Sequence, residues 1–194
     1  MSISQTGDVA IIGAGIAGLA CAQRLVAEGV NVSLFEKSRG VGGRMSTRRS
    51  PEQERFDHGA QYFTTRDKGF KAVVDSWLQA GVVAPWNGRF VKLSDGDVRE
   101  EDRVTTRYVG VPGMSSICRQ MATGLHISIN TRVLPPERRG NRWHLRCQDG
   151  IDRGEFDCVI SSAPASQTAE LLCAASGLQQ EADRVTMRGC WSAM

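Results

Sequence analysis

A glycine-rich turn, Gly13-Ala14-Gly15-Ile16-Ala17-Gly18, constrains the fold of this chain more than any other stretch. Val9-Ala10-Ile11-Ile12 before it is a short apolar run, the signature of a buried strand in a parallel sheet. Leu19 to Glu28 after it suits a helix, with Gly29 just past the helix end. Asn31-Val32-Ser33-Leu34-Phe35 reads as a second strand, closed by the acidic Glu36. Gly13 permits the tight strand-to-helix turn, Gly15 lets backbone approach a pyrophosphate, and Gly18 allows the helix to pack close to the strand. Amides and dipole at the helix N-terminus attract phosphate. Glu36 follows Gly18 by 18 positions, close to where a ribose-binding carboxylate is expected. A lone G-x-G-x-x-G is weak; with its strand, helix and acid it predicts a dinucleotide half-site contacted by Gly13, Ala14, Gly15, Ile16, Ala17 and Glu36.

A second glycine-rich turn decides between cofactors. In Arg39-Gly40-Val41-Gly42-Gly43-Arg44-Met45, Gly42 and Gly43 give bare backbone and Arg44 offers a planar fork suited to phosphate oxygens. A site for nicotinamide alone has no need of this second clamp. Glu36-Lys37-Ser38-Arg39 through Gly42-Gly43-Arg44 resembles the E-x-x-x-x-x-G-G-R motif of the flavin amine oxidase superfamily. The resemblance implies FAD, held also by Lys37, Arg39, Gly42, Gly43 and Arg44.

The next informative stretch is Arg55-Phe56-Asp57-His58-Gly59-Ala60-Gln61-Tyr62-Phe63. Lys-Ser-Arg-Gly-x-Gly-Gly-Arg-Met followed by Asp-x-Gly-Ala-Gln-Tyr-Phe is similar to the renalase-like branch of that superfamily. There the resemblance implies that Gln61 and Tyr62 border the flavin ring. Read without the family, Gly59 suggests close backbone approach and Gln61 a hydrogen bond to a ring edge, while Phe56, Tyr62 and Phe63 equally suit a core. His58 follows Asp57 and could be imagined as a base, but the renalase-like pattern varies at this position.

The middle of the chain supplies a second domain. Phe70, Val73, Val74, Trp77 and Leu78 repeat at helical spacing between Asp67 and Ala80, and Gly81 ends that helix. Arg89 to Leu93 and the segment after Asp95-Gly96 suggest a hairpin. Val109-Gly110-Val111-Pro112-Gly113-Met114-Ser115 resembles a family element that returns the chain to the FAD domain; a helix follows to about Ala122. His126 to Asn130 alternates as a strand that runs on through Val133, and the resemblance implies that Val133 meets the adenine end through its backbone. Trp143 to Cys147, the Asp149-Gly150 turn and the segment beyond form a hairpin ribbon. Phe156 to Ile160 reads as a buried strand ending in Ser161-Ser162-Ala163-Pro164, where the superfamily gathers ligands, so Ala163 joins the candidate contacts. A helix near Ala165 to Ala175 and a strand-like Arg184-Val185-Thr186-Met187 follow. Cys190-Trp191-x-x-Met194 resembles the start of a further family strand. Family chains continue past this point, so the resemblance covers the N-terminal portion of a family chain and implies strands left with open edges and apolar surface.

Composition narrows the class. The 194 residues, 41% hydrophobic, suffice for one domain or two small ones. Twenty arginines and four lysines are scattered among 21 acids, so no nucleic-acid stripe forms, and Arg48-Arg49 and Arg138-Arg139 read as solvated loops. Residues 1–8 lack a basic, apolar leader, and no long apolar segment marks a membrane span. Cys21, Cys118, Cys147, Cys158, Cys173 and Cys190 show no metal spacing and read as reduced, mostly buried thiols of a cytoplasmic protein.

The expected architecture is α/β: a Rossmann-like FAD-binding domain with a parallel sheet (1–65 and 110–164), plus part of an antiparallel-sheet substrate domain (66–109 and 165–194). The expected activity is FAD-dependent oxidation of a small, reduced, nitrogen-containing molecule, with dioxygen taking the electrons. The resemblance adds dihydro-isomers of NAD(P)H as substrates. Two alternatives are a nicotinamide-dependent reductase with Lys37 or Arg39 at an adenosine 2′-phosphate, and a nucleotide-binding fragment without activity. No catalytic side chain is named, because hydride transfer to a flavin needs positioning more than an acid or base.

Overall fold

Local patterning and sheet partners together set the elements of this chain. A computed structural model describes residues 7–100, 105–173 and 175–189. In chain order the elements are β1 (Asp8–Ile12), α1 (Ile16–Ala27), β2 (Asn31–Phe35), β3 (Arg48–Arg49), β4 (Arg55–Phe56), α2 (Lys68–Gln79), β5 (Val83–Pro85), β6 (Val91–Ser94) and β7 (Asp97–Glu100). There follow β8 (Tyr108–Gly110), α3 (Ser115–Met121), β9 (His126–Ser128), β10 (Glu137–Arg139), β11 (Arg142–Arg146), β12 (Asp152–Phe156), β13 (Cys158–Ser161), α4 (Ala165–Leu171) and α5 (Ser176–Asp183). Two compact units result: the segments up to Arg44 and from Cys118 onward form one, and Met45–Ile117 forms the other. The Cys190-Trp191 to Met194 stretch and residues 1–6 lie outside the described residues.

The first unit is built on a four-stranded parallel sheet in the order β13-β1-β2-β9. Register places Ile12 beside Phe35 and Ile11 beside Leu34. Side-chain alternation therefore sends Ala10, Ile12 and Phe35 to one face and Val9, Ile11 and Leu34 to the other. The antiparallel meander β10-β11-β12 covers the first face. Its Leu145 and Phe156 pack there with Val133 and Cys147, and the Phe35 and Phe156 rings meet edge-on at 5.9 Å. Helix α1 buries Leu19 and Ala22 against the strands. Each large apolar side chain so buried contributes about 1.5–3 kcal/mol. Parallel pairing brings the carboxyl ends of β13, β1 and β2 to one edge, where α1 begins.

The second unit holds α2, whose N-cap Asp67 accepts the Phe70 N–H at 2.8 Å and whose end is marked by left-handed Gly81. Val74 and Trp77 are buried there, and Trp77 meets Phe63 and Phe70 edge-on. Val73, placed on the apolar face by spacing, is exposed. Strands β5 and β8 pair antiparallel. β6 and β7 form the expected hairpin around Asp95 and Gly96, both left-handed as the tight turn requires. Leu93 and Val98 face each other across it, both exposed.

Several boundaries differ from the sequence reading. Helix α1 starts at Ile16, inside the glycine motif, rather than at Leu19. β9 stops at Ser128 instead of running to Val133, because Asn130 turns left-handed at φ 52° and breaks the pleat. Phe156 ends β12, and β13 is a half-buried edge strand rather than a buried one. The helix expected over 165–175 ends at Leu171 as α4, and a separate helix, α5, follows over Ser176–Asp183. Arg184 to Met187 forms no strand; Val185 and Met187 are exposed and have no ladder partner among the described residues. Both arginine doublets lie in exposed strands rather than loops, with the Arg138 guanidinium over the Trp143 ring at 5.1 Å. Of the thiols, Cys118 and Cys147 are buried, Cys21 and Cys158 half-buried and Cys173 exposed.

Candidate dinucleotide-binding site

The Gly13–Gly18 turn spans the carboxyl end of β1 and the start of α1. Gly13 takes φ 105° and donates its N–H to the Phe35 carbonyl at 2.9 Å, which fixes the turn to β2. A Cβ on Gly18 would stand 2.1 Å from the Gly13 carbonyl oxygen, so helix and turn approach too closely for any side chain. At Gly15 a Cβ would meet only the Gly43 Cα, at 4.0 Å. The space over the middle glycine is thus open. Gly15 caps α1 without a side-chain hydrogen bond, leaving backbone amides of the first turn for an anion. Ala14 is fully buried, Ile16 half-buried and Ala17 exposed.

Glu36 stands at the end of β2, 6% exposed. Its Oε2 accepts the Ala14 N–H at 2.9 Å and its Oε1 accepts the Ser38 N–H at 2.8 Å. The carboxylate is therefore tied to the turn itself, and each oxygen keeps a further lone pair for a sugar hydroxyl. Lys37 and Arg39 are exposed, and the Lys37 ammonium donates to Gln167 Oε1 at 2.7 Å. This pairing across 130 positions has no local sequence signal.

The second glycine turn packs on the first. The Gly42 N–H donates to the Ala14 carbonyl at 2.9 Å, and Gly15 and Gly42 form an isolated parallel bridge. Gly43 is left-handed at φ 51°, and a Cβ there would sit 3.3 Å from the Gly15 Cα. Arg44 follows in a 3-10 turn, Gly43–Met45, with its side chain exposed and unpaired among the described residues.

Two further backbones converge on this edge. Ser162 Oγ donates to the Gly13 carbonyl at 2.9 Å and lies 3.2 Å from that of Ile12, while the neighbouring Ala163 is half-buried. Sequence reasoning marked the Ser161–Pro164 loop but not Ser162 itself; a serine directly after an apolar strand was its only signal. Val133 buries its side chain and bridges Cys147, but the bridging bonds run through its neighbours: Leu134 N–H to Arg146 and Gln148 N–H to Arg132. In this non-hydrogen-bonded pair the Val133 N–H and C=O point away from Cys147 and take no backbone partner among the described residues.

The remaining candidates, Gln61 and Tyr62, belong to the second unit. Both are exposed; the Tyr62 ring lies 5.9 Å from that of Trp86 and 4.7 Å from the Arg107 guanidinium. In the same unit Asp57 Oδ1 accepts from Thr47 Oγ1 at 2.6 Å and from the Met114 N–H at 3.0 Å, fixing the turn before α3. His58 is exposed, 3.5 Å from Ser46 Oγ. No described helix is long and apolar enough to cross a membrane.

Residues 11–77 match the model of a family described as an NAD(P)-binding Rossmann-like domain. A 4,4'-diapophytoene desaturase (4,4'-diaponeurosporene-forming) of Staphylococcus haemolyticus is 58% identical over 38 residues, 20% of this chain and 8% of that protein. The crystal structure of a CLA-producing fatty acid isomerase from P. acnes superposes with a TM-score of 0.70 at 16% identity, over 88% of this chain and 62% of the other. Putrescine oxidase bound to putrescine gives 0.66 at 15% identity, over 86% and 60%. At such identities the likeness establishes a shared fold, α/β with a Rossmann-like parallel sheet. The chain spans about three-fifths of these structures and matches less than a tenth of the desaturase.

Proposed function

We propose that this chain is the nucleotide-binding portion of an FAD-dependent oxidoreductase of the renalase-like kind. The observation that carries the reading is the stacking of one glycine turn on another: Gly42 on Ala14 and Gly43 on Gly15, with Arg44 directly behind. Open space over Gly15 suits a pyrophosphate, and the uncapped start of α1 supplies its donors. Glu36 holds the ribose of the adenosine half, the free Val133 backbone groups meet the adenine, and Arg44 bridges phosphate oxygens. Lys37 and Arg39 flank the ribose, Ala163 lines the edge beside Gly13, and Gln61 and Tyr62 border the flavin ring.

FAD, when bound, supplies the redox chemistry by accepting a hydride and passing electrons to dioxygen. The chain's own residues bind and orient, and the substrate is a small, reduced, nitrogen-containing molecule, with dihydro-isomers of NAD(P)H fitting that description. Fold likeness to an enzyme that binds putrescine supports the nitrogen-containing class. Residues 1–65 with 110–164 form the FAD domain in this reading, the rest belongs to the substrate domain, and the protein works in the cytoplasm.

The test is a visible absorption spectrum of the purified chain, then denaturation and identification of released chromophore. A flavin spectrum with FAD released is the expected result. A colourless protein that shows no spectral shift on adding FAD overturns the reading.

A further inference from the structure

We infer that Ser162 is a positioning residue that sets the phosphate-binding turn before any cofactor arrives; this rests on the dinucleotide reading of that turn. Its hydroxyl stands where three backbone segments meet. Ser162 Oγ donates to the Gly13 carbonyl at 2.9 Å and lies 3.2 Å from the Ile12 carbonyl, across some 150 positions of sequence. Its N–H also donates to Ile12, at 2.9 Å, so the loop after β13 is sewn onto the end of β1.

Two of the motif's glycines are shaped around this hydroxyl. A Cβ on Gly13 would lie 2.6 Å from Ser162 Oγ, and one on Gly18 would lie 2.7 Å from it. The first and third glycines are thus required partly because Ser162 occupies the space beside them. The carbonyl that Ser162 holds belongs to the peptide joining Gly13 to Ala14. Orienting that carbonyl orients the Ala14 N–H on the other side of the same planar unit, and that N–H is the one Glu36 accepts. Ser162 on the β13 side and Glu36 on the β2 side therefore grip one peptide from its two ends. Removing the hydroxyl frees the Gly13 peptide to rotate and scatters the amides that a pyrophosphate needs. The adenine and ribose contacts, made by Val133 and Glu36, do not need this fixed orientation to the same degree.

The experiment compares FAD, ADP and adenosine binding to wild type, Ser162→Ala and Ser162→Thr by titration calorimetry. FAD and ADP carry the pyrophosphate; adenosine does not. For Ser162→Ala we expect FAD and ADP to bind about tenfold more weakly, the effect of one hydrogen bond, with adenosine within twofold of wild type. Ser162→Thr restores the donor and recovers at least half of the loss on a logarithmic scale. Unchanged FAD and ADP affinity in Ser162→Ala overturns the inference, as does an equal loss for adenosine or no rescue by threonine. If Ser162→Ala does not purify folded, Ser162→Thr and Ser162→Cys carry the test: affinity for ADP must rank Thr above Cys, the weak donor, and the reverse order overturns it. A wild type that binds neither FAD nor ADP defeats the dinucleotide reading itself, an outcome distinct from wild-type binding with an indifferent Ser162.

Discussion

The Glu36 carboxylate accepts the Ala14 N–H at 2.9 Å, joining the end of β2 to the glycine turn that follows β1. Its other oxygen accepts the Ser38 N–H, so a buried charge is satisfied by two backbone donors rather than by a cation. Glu36 therefore shapes the turn itself, besides the ribose contact proposed for it. Glu36→Ala leaves both N–H groups unpaired, and we expect it to lower stability by about 1–3 kcal/mol in the absence of cofactor. FAD affinity falls in the same variant. Denaturant titration of cofactor-free protein measures the first effect; an unchanged midpoint would reduce Glu36 to a ligand contact.

Gly18→Ala tests the closeness of α1 to the turn. The added Cβ would stand 2.1 Å from the Gly13 carbonyl oxygen, a backbone atom that cannot step aside as a side chain does. We expect at least 3 kcal/mol of destabilisation, roughly the upper range for an overpacked site, and loss of FAD binding. Gly40→Ala, where a Cβ meets nothing within 4 Å, is the control and changes neither. A Gly18→Ala protein that melts and binds like wild type would mean the turn tolerates a wider helix approach.

Much of this was legible because it is local. β1 and β2, the latter the asparagine-to-phenylalanine run before Glu36, are set by neighbouring residues, and Asp67, Gly81 and Asp95-Gly96 punctuate the second unit where they stand. The errors are tertiary. Alternation predicted a strand through Val133, but Asn130 turns the chain so that Thr131 N–H reaches the Glu36 carbonyl. Arg184 to Met187 alternates too, yet a strand needs a partner, and no described residue supplies one. Ser162 was hidden because its importance lies in a peptide about 150 positions away. The Gly42–Ala14 bond was hidden likewise, although the need for bare backbone at Gly42-Gly43 was readable.

Cys118 gives a pH prediction. Its thiol is fully buried in α3, and desolvation pushes its pKa up to about 11, the nearby Arg119 charge opposing only in part. An unfolded thiol titrates near 8.5. Below that value both states hold the proton and Cys118 adds no pH dependence. Between about 8.5 and 11 the unfolded chain has lost a proton that the folded one keeps, so stability falls by about 1.4 kcal/mol per pH unit from this group. Denaturant midpoints from pH 8 to 10.5 should fall more steeply in wild type than in Cys118→Ala. Equal slopes would show that the thiol ionises freely in the folded protein. Cys173, exposed, should meanwhile react with a thiol reagent at pH 8 while Cys118 does not.

Arg44 separates binding from folding most cleanly. Its side chain is exposed and has no hydrogen bond or ion pair among the described residues, so truncating it removes nothing that supports the cofactor-free chain. Its backbone, by contrast, continues the turn in which Gly43 closely approaches Gly15. In the proposed reading its guanidinium donates to phosphate oxygens, and charge-assisted bonds of that kind are worth about 1.5–3 kcal/mol each. Arg44→Ala should weaken FAD by roughly one to two decades with an unchanged melting temperature in the absence of cofactor. Arg44→Lys keeps the charge but loses the fork, and should recover only part of the affinity. The salt dependence of FAD binding should be weaker in Arg44→Ala than in Arg44→Lys, because screening acts on the charge that alanine has removed. If FAD binds Arg44→Ala as tightly as wild type at low and high salt, the second glycine turn serves only to pack against the first, and the case for a flavin over a nicotinamide cofactor loses its main support.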